Sequence, residues 1–379
     1  MAAALEGVRV LDLTRVIAGP FCGMLLGDMG AEVIKLEEPG AGDESRAWTP
    51  FWGGEGGQFL AFNRNKRAIT LNLKDSRAVE ICHKLAQRSD VFIESFRTGT
   101  ADKLGVGYAR LSKLNPRIIY CSISGYGRTG PAADKPGYDL IIQGYGGMMS
   151  VTGQPDGEPV RCGYSMVDLF CGMAAYGAVV TALLVREKTG KGQYIEASLL
   201  EGQVTSMSYH ALAYLGTGRI PGPLGSGHPS LCPYQAFRAS DGHFILGVAN
   251  DGLWRRFCDA LGLADLVDHP SFKTNTLRVK NRQELVSILG KLFETQPVRH
   301  WVERIEAAGV PCGPIHDIPG VLNDLQVQAR GMMWSVPHPK IPDLRVPGPP
   351  FKMYGTPPEA RRYPPLLGEH TEEVLTELG

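Results

Sequence analysis

The stretch "VRVLDLTRVIAGPFCGMLLGDMGAEVIKLE", residues 8–37, decides the fold. Its opening run, "VRVLDLT" (8–14), is short and rich in β-branched residues, the pattern of a buried strand. "AGPFCGMLLGDMG" (18–30) comes next, with Pro20 placed to begin a helix and Gly30 to end it. "AEVIKLE" (31–37) is a second apolar strand. A strand, a helix and a strand in so few residues form a crossover unit, which implies a parallel sheet.

Outward from this unit the alternation continues. "AITLNL" (68–73) reads as a strand, "SRAVEICHKLAQRS" (76–89) as an amphipathic helix and "DVFIESF" (90–96) as a strand. "ARLSKLNP" is a short helix, and "RIIYCSISGYG" (117–127) a strand ending in glycine turns. The fold class expected is therefore α/β: a large, doubly wound, Rossmann-like domain on a parallel sheet. "GYSMVDLFCGMAAYG" (163–177) continues to "REKTGKGQ" as one long helix, and "GQYIEASLLEG" supplies another strand and helix. Residues 216–233 are rich in Gly and Pro. We divide the chain into a large domain, 1–215, a linker, 216–225, and a small α+β domain, 226–329. The small domain opens on a hairpin turning at Asp241-Gly242. The Pro-rich tail within 330–379 is expected to return over the large domain and complete it.

Composition narrows the function. The 379 residues carry 39 basic and 39 acidic side chains and 43% hydrophobic residues, so no bulk charge points to nucleic acid or membrane. The eight cysteines form no C-x-x-C pair and no His cluster has metal-ligand spacing, so no metal is expected and the thiols read as reduced, in a cytoplasmic protein. No signal peptide and no uninterrupted apolar segment long enough to span a bilayer is apparent.

Several catalytic signatures are missing. Glu37 stands about where a ribose-binding acid would sit in an NAD enzyme, but "TRVIAGPFCG" lacks the G-x-G-x-x-G turn. There is no G-x-S-x-G elbow and no P-loop lysine. Two constellations remain. One is a scattered basic set, Arg64, Lys66, Arg67, Lys74, Arg97, Lys103 and Lys135, several of which are expected after strand C-termini, where cations suit a phosphorylated ligand. The other is Asp168, an acid opening the long helix with no basic neighbour. It reads either as a helix cap, accepting free backbone N–H groups, or as a nucleophile that those groups keep ionised in a dry place.

The ordered series "LEGVRVLDLTRVIAGPFCGMLLGDMGAEVIKLE", "GDESR", "NRNKRAITLNLK", "DVFIESFRTG", "NPRIIYCSISGYGRTGP", "PGYD", "DLFCGMAAYGAVVTALLVREKTGKGQYIEASLLEG", "GVPCGPI", "VPGPPFKM" and "PLLGEHT" resembles the family III CoA-transferases nearly end to end. Within that family it is most similar to the succinyl-CoA-dependent dicarboxylate enzymes. The resemblance implies that Asp168 is the nucleophile and that CoA moves from an acyl-CoA, succinyl-CoA by this likeness, to a carboxylic acid. The path runs through mixed-anhydride and aspartyl-CoA intermediates, with no permanently bound cofactor. By position, the CoA pocket would draw on Val16, Ile17, Leu71, Asn72, Leu73, Lys74, Ser95, Phe96, Arg97, Lys103, Lys135 and Tyr138. The family's mobile glycine loop corresponds to "PLGSGHPS", so Gly225, Gly227 and His228 would face the acyl substrate. An interlocked homodimer is also implied.

Two departures stand out. Ile17 replaces a Gln found in the formyl-CoA enzyme, which argues against oxalate. Glu38 replaces an Arg there, so a phosphate contact is lost or taken by another cation. An α-methylacyl-CoA racemase shares the implied fold, but it needs a second proton carrier where this chain has Tyr138, and an ordinary phenol is a poor base. A CoA-binding protein without turnover is the remaining alternative.

Overall fold

The structure, a computed structural model, describes residues 3–379. It forms two compact units. The first gathers the chain up to Met148, Arg161–Leu215 and Gln326–Gly379, and the second Met149–Val160 and Gly216–Leu325. The sequence division left residues 149–160 in the large domain. They belong to the second unit, where Gly153 accepts the backbone N–H of Gly225 at 2.8 Å.

The first unit is built on six parallel strands: β1 (Arg9–Leu13), β2 (Glu32–Glu37), β3 (Lys66–Thr70), β4 (Val91–Glu94), β5 (Ile119–Ser124) and β6 (Tyr194–Ser198). Their spatial order is β3-β2-β1-β4-β5-β6. The chain steps outward from β1 to β2 and β3, then returns to pair β4 with the other side of β1, Val10 standing between Val33 and Val91. Strand order thus reverses between β1 and β4, and open α/β sheets bind ligands outside the carboxyl ends of the strands at such a reversal.

Both faces of the central strands are covered, so apolar side chains run along both of them, with a few buried charges such as Asp12, Lys35 and Lys66 among them. On one face Val10, Val33, Ile93 and Cys121 pack with Cys22 and Leu26 of α1 (Ala18–Asp28) and with Val167, Cys171, Ala175 and Val179 of a later helix, Met166–Thr189. On the other, Leu11, Ile34 and Phe92 pack with Cys82 and Leu85 of α2 (Ser76–Gln87) and with Val374 and Leu378 of the C-terminal helix. The helix Met166–Thr189 is long and apolar enough by length and composition alone to cross a membrane, a test that the core helix of a soluble protein also passes. Its apolar stripe is spent on α1 and the sheet, and Gly172 lets α1 approach closely, since a Cβ there would stand 2.5 Å from the Ala18 carbonyl.

β3 starts two residues earlier than the sequence pattern indicated, because the charges of Lys66 and Arg67 are neutralised in place. Lys66 is fully buried against Asp12 at 2.9 Å, and Arg67 is gripped by Glu32, Glu373 and Glu377. The tail returns to the first unit as expected from its composition: the Asn65 N–H donates to the Arg362 carbonyl at 3.0 Å, and that of His370 to the Ala68 carbonyl at 2.9 Å.

The second unit has an antiparallel sheet of three strands, Cys312–Pro314, His243–Gly247 and Tyr234–Arg238. The last two form the hairpin expected at Asp241-Gly242. Trp254, Phe257, Phe293 and Trp301 from its helices fill the core.

Candidate active site

Asp168 is the third residue of the helix Met166–Thr189, where a first-turn N–H group would ordinarily find an acceptor. The acceptor is a different residue. Asp139, buried at the start of α3 (Asp139–Tyr145), takes the backbone N–H of Val167 at 2.9 Å and of Asp168 at 3.3 Å on one oxygen. Its other oxygen accepts from Gln143. The cap reading of Asp168 is therefore overturned, since the duty belongs to Asp139. The Asp168 side chain is released from local hydrogen bonding: residue 168 is 8% exposed, and its carboxylate accepts no hydrogen bond among the described residues.

That placement also corrects the expectation that backbone N–H groups keep the acid ionised. Burial, and then the negative charge of Asp139, push the Asp168 carboxyl up to about 7. An apolar setting with an anion nearby disfavours charge, and no donor compensates. The result is a basic, poorly solvated carboxylate, the state in which a carboxylate is most reactive as a nucleophile.

Asp168 opens into a cleft of about 770 Å³ at the strand-order reversal. Residues following β1 (Arg15, Val16, Ile17) and β4 (Ser95, Arg97) wall it, together with Tyr138 and the turn after β5. A neighbouring cleft of about 920 Å³ is lined by Leu71, Asn72, Leu73, Lys74 and Phe96. Arg15 lines both. Ten of the twelve positions expected for a CoA pocket thus fall on two clefts sharing one arginine. Lys103 and Lys135 line neither; both are exposed, and the Lys135 ammonium lies 6.0 Å from the Tyr145 ring.

The basic set divides. Arg64, Lys66 and Arg67 do not follow a strand C-terminus; they flank the start of β3 and are consumed by Asp28, Asp12 and the glutamates around Arg67. Lys74 remains exposed and meets Glu38 at 3.5 Å. Glu38 therefore competes for the one expected cation nearest to it. Arg15, absent from the sequence expectation, pairs with Glu44 at 3.1 Å, and Glu44 also accepts from the Tyr138 hydroxyl at 3.3 Å. Burial and Glu44 raise the Tyr138 phenol above its ordinary value, so it stays protonated near neutrality and makes a poor proton carrier for a racemase. Glu37 is not free for a ribose: both its oxygens are held by Arg46, at 2.8 Å each.

Gly225, Gly227 and His228 belong to the second unit. Gly225 has φ +60°, the Gly227 N–H donates to the Leu224 carbonyl at 2.9 Å, and His228 Nδ1 accepts the Ser230 N–H at 3.1 Å with its ring edge-on to Tyr234. Asp139, like Arg15, is a site residue that sequence reasoning missed. It follows Tyr138 in "PGYD", and an acid two residues after a glycine and opening an apolar helix was the available signal.

Comparison with known proteins places the whole chain in a family. The chain is 44% identical to the human (Homo sapiens) succinyl-CoA:glutarate CoA-transferase over 375 residues, 99% of this chain and 86% of that one. It is 40% identical to the succinate–glutarate CoA-transferase of Agrobacterium fabrum, covering 99% and 95%. Among solved structures, a CAIB/BAIF family protein from Brucella suis superposes with a TM-score of 0.89 at 37% identity, over 100% of both chains. The description "CoA-transferase family III" matches residues 5–371, and the chain is a CoA-transferase belonging to that family.

Proposed function

We propose that this enzyme moves CoA from succinyl-CoA to a second dicarboxylate, glutarate being the acceptor to test first, with Asp168 as the covalent carrier. The observation that carries the proposal is a nearly buried carboxylate without hydrogen-bond donors, raised to about 7, at the cleft where the sheet reverses. The substrate class rests on the two glutarate-named relatives, which match over 99% of this chain.

Asp168 attacks the thioester carbonyl, the carbon–sulfur bond breaks, and CoA leaves as thiolate from a mixed anhydride. The thiolate attacks the aspartyl carbonyl and expels the donor acid as its carboxylate, leaving aspartyl-CoA. The acceptor carboxylate attacks that thioester, releasing thiolate and a second anhydride. Thiolate attack on the acceptor carbonyl then frees Asp168 and the new acyl-CoA. Charge is conserved at each step, and acylation removes the charge that burial makes costly on Asp168. Anhydrides hydrolyse, so the chemistry needs the water exclusion that a buried nucleophile provides.

The paired clefts fit an extended thioester, with apolar Leu71, Leu73 and Phe96 at one end and Asp168 at the other. An interlocked homodimer is part of the same reading. It is supported by apolar side chains left bare in the single chain, Leu212, Leu215 and Ile220 among them at 69%, 76% and 86% exposure. Tagged and untagged pools that fail to exchange subunits under native conditions would bear it out, and free exchange would refute it.

Wild-type protein given succinyl-CoA and hydroxylamine should acquire a hydroxamate on the peptide containing Asp168. A hydroxamate on Glu37 or Asp139 instead would move the nucleophile, and no adduct would end the covalent reading. A panel of acids with succinyl-CoA tests the substrate class; preference for monocarboxylates would refute it.

A further inference from the structure

Val16 has φ +74°. A β-branched residue in the left-handed region crowds its Cβ against the following carbonyl, and such a residue persists only where its surroundings over-determine it. The surroundings here are specific. The Val16 N–H donates to both oxygens of Asp43, at 3.1 and 3.2 Å, and Asp43 is fully buried. The same carboxylate accepts from the Lys35 ammonium at 3.0 Å, the Ser45 N–H at 3.0 Å and the Ser45 hydroxyl at 2.8 Å. Burial alone would raise this carboxyl, but Lys35 and Ser45 outweigh it and hold it below the ordinary value, so it is an anion. Asp43 is itself fixed: its N–H donates to Glu37 at 2.9 Å, and Arg46 clamps Glu37. Lys35 also donates to the Thr14 carbonyl at 2.8 Å, which ties the chain just before the turn.

The turn matters because it aims the next three residues at the site. Residues 16–19 line the Asp168 cleft, and the backbone N–H groups of Ile17, Ala18 and Gly19 have no acceptor among the described residues. We infer that Asp43 is a positioning residue of the transfer reaction: it holds Val16 in the left-handed turn and thereby sets the wall that residues 16–19 present to the reacting thioester. The inference rests on the reading that this cleft carries the transfer. It assigns to the "GDESR" loop a role in catalysis through geometry, with no contact to substrate required.

The competing account is that Asp43 only balances the buried charge of Lys35. Glycine separates the two, because it takes positive φ without strain and needs no anchor. The test measures kcat and KM for succinyl-CoA with glutarate for Asp43→Asn, in the wild-type background and in the Val16→Gly background. On the proposal, Asp43→Asn lowers kcat by about tenfold or more in the wild-type background while KM changes by less than about threefold, as for an interaction that orients the reacting groups. In the Val16→Gly background the same substitution costs several-fold less. Urea denaturation gives a readout independent of turnover: Val16→Gly should stabilise the Asp43→Asn protein more than it stabilises the wild type.

Equal effects of Asp43→Asn in both backgrounds, or a loss confined to KM, would overturn the proposal. If Asp43→Asn strands Lys35 and does not fold, the double change Lys35→Met/Asp43→Asn replaces the buried pair by neutral groups of similar volume and is read in the same two backgrounds. Absence of transfer by the wild-type enzyme would instead refute the functional reading, and the urea comparison would still decide the role of Asp43 in holding the turn.

Discussion

Replacing Asp168 by Asn should stabilise this protein at alkaline pH. The carboxyl stands at about 7 in the folded chain against an ordinary 3.8. Below pH 4 it is protonated in both folded and unfolded states and contributes no difference. Between pH 4 and 7 the unfolded chain loses this proton while the folded chain keeps it, so stability falls as pH rises. Above 7 the full cost of a buried charge is borne. Roughly three units correspond to about 4 kcal/mol, an upper bound because the chain relaxes around a buried charge. Asparagine has a similar shape and no charge, so its variant is spared that cost. A helix cap predicts the opposite, a loss of about 1 kcal/mol or less on going to Asn, with no such pH dependence. Urea denaturation of both proteins at pH 4, 6 and 8 measures the difference. The slope of that difference with pH isolates the charge from any change in packing. The expected result is a stability gap that widens in favour of the variant from pH 4 to 8, together with loss of turnover. A gap that does not change with pH, or a variant less stable than wild type at pH 8, would refute the reasoning.

The kcat/KM for succinyl-CoA should rise with pH through about 7 as Asp168 ionises, and Asp139→Asn should move that midpoint down, since it removes the second cause of the shift; an unmoved midpoint would assign the shift to burial alone. Glu38→Gln should lower KM for CoA thioesters, because it frees Lys74, 3.5 Å from Glu38, to meet a phosphate; a raised KM would show that Glu38 itself contacts the ligand. Incubation with a 2-methylacyl-CoA in deuterated water should leave the α-carbon unlabelled, because Tyr138 is held protonated beside Glu44, and prompt labelling would revive racemase chemistry.

The sequence by itself determined the parallel sheet and much of the site's location. Strand runs of period and length that can only be buried, separated by short helices, leave little freedom of topology. Segments that end strands are therefore candidates to face a ligand, as Arg97 after β4 is, whereas Val16, Ile17 and Ser95 were indicated by the family resemblance; all four line the Asp168 cleft. A one-dimensional pattern does not carry which charges meet. Arg64, Lys66 and Arg67 looked available for a phosphate because each partner lies far away in the chain: Asp28, Asp12 and the glutamates at 32, 373 and 377. Apart from the family resemblance, the residues around Asp168 left the cap and nucleophile readings open for the same reason. A helix terminus offers its N–H groups to whichever carboxylate reaches them, and only the tertiary structure shows that Asp139, 29 residues before Asp168, arrives there first. The raised pKa of Asp168 is likewise a property of the assembled environment, because burial and a second charge act through space and not along the chain.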